Sequence, residues 1–306
     1  MNAQLTSVEP REDISLKTRR RRRSGVRHFF TSLVTNIGGL VGAIIILIAI
    51  VCAVFAPYIS PHDPTAGSIF NRLLPPAWMK GGNASFLLGT DPVGRDVLSR
   101  IIWGARDSLY IGISSIILSL VIGVPVGLVA GYFGRWVDDL LMRITDVMLT
   151  FPFILLAILV MALFGTGVNK VVIVLGVSGW ASFARVVRSQ VLSLRENEYV
   201  MAAMIIGAPT WRILGKHIFP GTISPITVIA TMNIAVNILL ASGLSYLGLG
   251  VDPSIPDWGG MLASGQIYLT TAWWVDVFPG IALMLTVLGF NLFGDWLRDY
   301  LEPQTK

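Results

Sequence analysis

The chain has 306 residues, 54% of them hydrophobic and only 13% charged, with a net charge of +5 and a mean hydropathy of +0.70. A soluble domain carries roughly 25% charged residues, so this composition excludes an ordinary soluble domain and points to one membrane-embedded bundle. A single cysteine, Cys52, excludes an intramolecular disulfide, and its place in an apolar run marks it as a small buried side chain.

In chain order, Lys17 and Arg19 to Arg23 precede an uncharged run over 29–61. A signal peptide has a shorter apolar core and a small-residue cleavage site. The run therefore predicts a retained first helix over about 37–56, with the arginines as a cytoplasmic topology signal rather than a nucleic-acid patch. A long outer loop follows, about 58–107. Near its end Asp91 and Pro92 suggest an N-cap and first turn, and Val93, Val97, Ile101 and Ala105 fall at four-residue spacing. That spacing predicts an amphipathic helix on the outer surface, with Asp96 and Arg100 paired on its other face.

Further uncharged runs cover 108–134, 147–169, 218–251 and 277–294. The run 171–184 is too short alone, but Arg185 and Arg188 can snorkel from its end and extend a helix over about 171–192. Segment 258–275 is too rich in Gly, Ser, Thr and Gln for a span, and Trp273 and Trp274 fit an interfacial belt. We read it as interfacial or re-entrant. Six crossings result, with both termini on one side. Lys and Arg then divide 17 to 6 in favour of that side, which the positive-inside rule makes cytoplasmic.

Residues 198–220, EYVMAAMIIGAPTWRILGKHIFP, interrupt this pattern between the fourth and fifth crossings. Gly207 suits the left-handed residue that ends a helix, Pro209 the first turn of the next, and Pro220 its end. Arg212 and Lys216 share one face. Like charges four apart cost about 0.2–0.5 kcal/mol, so a partner, or else lipid headgroups, accounts for them. In the fifth helix Thr231, Asn233, Asn237 and Ser242 sit among apolar residues, either as interhelical hydrogen-bonders or as the lining of a hydrated pathway. Arg143 and Asp146 have the spacing to neutralise each other. Gly215-Lys216 lacks the surroundings of a phosphate loop, and His28, His62 and His217 are too dispersed to suggest a metal site.

Ala202-Ala203, Gly207 and Ile218-Phe219-Pro220 resemble the EAA loop of ABC importer permeases. Met201 stands at the nominal glutamate, His217 at the usual isoleucine and Phe219 at the usual leucine, while Glu198 occupies the acidic place of the peptide-permease variant. LLPPAW (73–78), LGTDPVGRDVLSR (88–100), GAR-x-SL (104–109), AGYFG (130–134), MR-x-x-D (142–146), SYLGLG (245–250) and FNLFGDWLRDYLEP (290–303) are similar to the C-type subunit of dipeptide and oligopeptide transporters, with Glu302 where aspartate is common. The resemblance covers the chain from about residue 36, leaving 1–35 as a basic cytoplasmic tail before the permease domain, 36–306.

It implies an all-α integral membrane protein with six transmembrane helices and the type I ABC importer permease fold, in a bacterial inner membrane. The chain itself is then no enzyme and binds no cofactor; ATP and Mg belong to partner subunits. The implied partners are a second permease, two ATP-binding subunits, an extracytoplasmic solute-binding protein and a peptide. The loop 193–220 becomes the ATPase-coupling element, through Glu198, Ala202, Ala203, Gly207, Arg212, Lys216, His217, Ile218 and Pro220. A nickel or glutathione permease of the same family is the first rival. An autonomous secondary transporter would need internal repeats or ionisable groups at the midplane, and neither is evident.

Overall fold

The computed structural model describes residues 27–301. The arginine cluster Arg19 to Arg23 and Glu302 lie outside the described residues. Regular structure is entirely helical among those described: α1 (27–35), α2 (Ile37–Ile59), α3 (Val97–Phe133), α4 (Arg135–Thr150), α5 (Phe153–Phe164), α6 (Val168–Arg195), α7 (Glu198–Ile205), α8 (Thr210–Arg212), α9 (Phe219–Tyr246), α10 (Trp258–Gly265) and α11 (Trp274–Leu301).

Helix α2 starts where the Asn36 side chain accepts a hydrogen bond from Gly39 N–H at 2.8 Å, which satisfies one orphan donor of the first turn. Its glycines then seat it on α11. A β-carbon at Gly39 would fall 2.5 Å from the Trp296 ring, and one at Gly42 would fall 2.7 Å from the Gly289 carbonyl. Lipid supplies no hydrophobic drive between helices, so close approach of small residues is how they associate. Because Gly39 meets Trp296 while Ile45 meets Gly289, α2 and α11 are antiparallel, and both ends of the described chain share one face.

The pairing of α3 with α6 fixes the topology. Ser119 bonds to the Gly176 carbonyl at 2.9 Å; Gly123 lies against Trp180, Gly127 against Ala184 and Val187, Gly131 against Val191. Numbers rise together along both helices, so they run parallel. The 34 residues between them must therefore recross the membrane. They do so as a broken span: α4 and α5 meet at 84°, where Pro152 forces Phe151 into an extended conformation (φ −74°, ψ 124°). The uncharged run 147–169 predicts a spanning helix of its own, but the 12-residue α5 is only about 18 Å long, against roughly 30 Å of hydrocarbon. The span is completed by α4, which carries charge. Six crossings follow, and the chain is a multi-pass membrane protein.

Ion pairs hold the broken span to α6. Arg188 Nη2 donates to Asp138 at 2.6 Å and Arg185 Nη2 to Asp146 at 2.7 Å. Asp146 thus pairs across to α6, not with Arg143 on its own helix, because the bend at Pro152 lays α4 beside the end of α6.

The outer loop also departs from expectation. Asp96, not Asp91, caps α3, accepting from Ser99 N–H at 3.0 Å. No separate surface helix forms among the described residues; Val97, Ile101 and Ala105 of the amphipathic stretch open a continuous 37-residue α3, while Val93 stays in the loop. Asp91 is a loop hub instead. Its carboxylate accepts from the backbone N–H of Val93 and Arg95 at 2.8 and 2.9 Å and from the Arg95 guanidinium at 2.7 Å. Arg100 turns to that hub, 3.7 Å from Asp91, and to the Pro64 carbonyl at 3.1 Å, so the Asp96–Arg100 pair is not formed. Gly89 and Gly94 hold positive φ of 80° and 82° in this knot. Trp274 is buried, its indole N–H bonding to the Thr90 carbonyl at 3.2 Å, so it clamps the loop rather than joining an interfacial belt. Segment 258–275 forms the short α10 and a single 3-10 turn, as expected of a non-spanning element.

Candidate functional site: the elbow after the fourth crossing

On the face opposite the outer loop, α6 ends at Arg195, whose guanidinium caps the Tyr132 carbonyl at 3.1 Å. Helix α7 then begins at Glu198. It ends in a Schellman arrangement: Gly207 N–H bonds to Met204 O at 3.0 Å and Ala208 N–H to Ala203 O at 3.1 Å. Gly207 sits at φ +75° with open space where a β-carbon would stand, as its place in the sequence predicts. Pro209 stands one position earlier than expected, at the N-cap of α8.

Pro220 does not end the second arm. Thr210–Tyr246 is helical throughout: α8, a π-helical turn over Ile213–Ile218, then α9 with proline in its first turn. Proline is tolerated there because the surrounding turn is already π-wound and the missing N–H falls at a change of hydrogen-bond register. The short arm is therefore the near end of the fifth spanning helix. Tyr199 on α7 donates its hydroxyl to the His217 carbonyl at 3.3 Å, bracing one arm on the other.

The elbow has two sides. Val200, Ala203, Ile213 and Ile218 are buried against Val187 and Val191 of α6. Glu198, Ala202, Gly207, Arg212, Lys216 and Pro220 are exposed, and His217 is half-buried. Among the expected residues, Ala203 and Ile218 thus anchor the elbow to the bundle, while the rest form its free surface. Sequence reasoning missed the apolar tip: Ile205, Ile206 and Trp211 are 86%, 82% and 70% exposed, and the Arg212 guanidinium lies over the Trp211 ring at 5.4 Å. Apolar residues at a glycine turn outside any span were the available signal.

The polar residues of α9 are not gathered into one site. Asn237 is buried and donates to Ser115 of α3 at 2.8 Å, and Ser242 is buried where α10 approaches at Gly259. Thr231 bonds to the Thr227 carbonyl at 2.9 Å and Asn233 to the Ile229 carbonyl at 2.8 Å; both remain partly exposed.

Comparison with known proteins matches this architecture to permeases. Residues 123–306 match the model of the binding-protein-dependent transport system inner membrane component, and residues 26–76 the N-terminal TM domain of oligopeptide transport permease C. The chain is 42% identical over 283 residues to the di/tripeptide transport system permease protein DppC of Pseudomonas aeruginosa (strain UCBPP-PA14), covering 92% of this chain and 93% of that one. It is 40% identical over 280 residues to the glutathione transport system permease protein GsiD of Pectobacterium atrosepticum, covering 92% and 91%. A chain of the MetNI methionine ABC transporter in an inward-facing conformation superposes with a TM-score of 0.55 at 19% identity, over 67% of this chain and 97% of that one. The fold is that of a type I ABC importer permease. This chain belongs to the family of binding-protein-dependent transport system inner membrane components.

Proposed function

We propose that the chain is one of two permease subunits of an ATP-driven importer of dipeptides and short oligopeptides. It works with two ATP-hydrolysing subunits and an extracytoplasmic solute-binding protein, in a bacterial inner membrane with the elbow and both termini in the cytoplasm. The observation that carries the reading is the elbow: a braced, basic, apolar-tipped projection continuous with a spanning helix, in a chain related to DppC permeases. A ligand shifts a conformational equilibrium only by binding its states differently, so a soluble motor needs such a lever. In this reading ATP and Mg sit on the partners, and Thr231 and Asn233 are the candidates to face the pathway.

Proteoliposomes holding the four-subunit complex, supplied with ATP and the binding protein, provide the test. Labelled alanyl-alanine should accumulate, and complexes lacking this chain should take up none. Excess nickel or glutathione should not compete. Competition by glutathione without dipeptide uptake would move the chain to the rival cargo.

A further inference from the structure

On the loop face the end of α2, the following loop, the first turns of α3 and the segment before α10 border an open cavity of about 760 Å³. Its lining includes His62, Asp63, Trp103, Arg106, Asp107 and Ile255. A 37-residue α3 is about 55 Å long, well beyond the roughly 30 Å of hydrocarbon. Its first turns therefore stand in the aqueous layer, where a solute arriving from outside meets the protein.

Polar groups of both signs line the cavity. Trp103 stands in the wall with its indole nitrogen covered by protein, so it is the ring rather than the N–H that meets the cavity. Asp107 is half-buried, within electrostatic reach of Asp257 and Arg106, yet no ion pair or hydrogen bond to its carboxylate is formed among the described residues. Arg106 is exposed and lies over the Trp103 ring at 5.9 Å. Neighbouring side chains on a helix diverge by about 100°, which keeps these adjacent charges from neutralising each other. His62 is fixed differently, with Nδ1 3.5 Å from the Asp96 carboxylate and its ring stacked on Phe86 at 4.9 Å. Bonds from the Thr65 hydroxyl and N–H hold the Asp63 carboxyl below its ordinary range, so that wall is anionic.

A half-buried carboxylate costs free energy when unpaired. With an exposed arginine beside it on a cavity of small-molecule size, it marks a place for a ligand that supplies the missing partners. A ligand with one ammonium and one carboxylate does so. We propose that this cavity is a receiving site for the two ends of a short peptide, with the ammonium against Asp107 and the carboxylate against Arg106. The choice of a peptide rests on the importer reading above; the demand for a zwitterion does not.

Equilibrium binding of radiolabelled alanyl-alanine to the four-subunit complex in nanodiscs, without binding protein or nucleotide, tests the site. Binding should saturate, and N-acetyl or C-amide alanyl-alanine should compete at least tenfold more weakly. Asp107→Asn should erase the preference for a free amine, with Asp107→Glu restoring part of it. Arg106→Gln should erase the preference for a free carboxylate. No saturable binding by wild-type complex, or binding that neither blocking group nor either substitution alters, overturns the proposal. Should a variant fail to assemble, the blocked peptides on wild-type complex still decide. A complex that transports peptides but fails this assay loses the site and keeps its function; one that binds but never transports loses the importer reading alone.

Discussion

Glycines at positive φ separate two kinds of constraint in this chain. Gly207 (φ +75°) has nothing within 4 Å of a would-be β-carbon, whereas at Gly94 (φ +82°) that atom would lie 1.9 Å from the Ser68 carbonyl oxygen. Substitution at Gly207 therefore meets only backbone strain, about 1 kcal/mol. At Gly94 the same strain is joined by collision with fixed backbone. Gly94→Ala should lower the thermal midpoint of the detergent-solubilised complex well beyond Gly207→Ala; equal shifts would refute the loop geometry. Asp91→Ala belongs here too. Arg100 is 3% exposed and leans on that carboxylate, and stranding a buried charge costs about 3–5 kcal/mol, so little assembled complex should be recovered. The sequence pointed to Gly207 because a glycine-proline break follows an apolar helical run. It misassigned the cap because Asp91-Pro92 and Asp96 are equally good starts locally, and only the long-range Thr90, Pro64 and Trp274 contacts decide between them.

At the scale of elements, the stripe Gly123, Gly127 and Gly131 lets α3 lie directly on α6, with a would-be β-carbon at Gly127 only 2.5 Å from the Ala184 carbonyl. Gly127→Leu should prevent stable folding, read as loss of full-length protein from the membrane; normal accumulation would contradict the parallel pairing. The four-residue glycine spacing was present in the sequence, but nothing local reveals which helix it faces. The π-helical turn is a second case. Deleting Gly215, whose β-carbon position is open, should return Ile213–Ile218 to α-helical pairing with the aim of the elbow kept, because a π-turn spreads one extra residue over the same turn. The complex should then assemble with the ATPases still coupled. Loss of coupling in a fully assembled complex would show that the elbow needs the π-turn itself. Pro220 looked like a terminator because proline usually breaks a helix; the π-turn that accommodates it depends on packing around Ile213 and Ile218, which one sequence does not display.

For the molecule as a whole, six crossings were legible from run lengths and the distribution of Lys and Arg, since both are written directly in composition. The break at Pro152 was not, because an uncharged run gives no sign of where the helix turns. Topology can be checked with single cysteines in a Cys52→Ser background: one at Asn83 should react with an impermeant thiol reagent in intact spheroplasts, one at Thr210 only after the membrane is opened. The central claim is that the elbow is where a soluble ATPase grips the bundle. Its exposed apolar tip beside Arg212 has the makeup of an interface anchor, since aromatic and arginine residues dominate binding energy at such surfaces. The most direct measurement is substrate-stimulated ATP hydrolysis by the reconstituted four-subunit complex carrying Ile206→Ser and Trp211→Ala together. Stimulation should fall at least tenfold, with all six helices still inserted and the partner permease still bound. Wild-type stimulation in that double variant would contradict the claim.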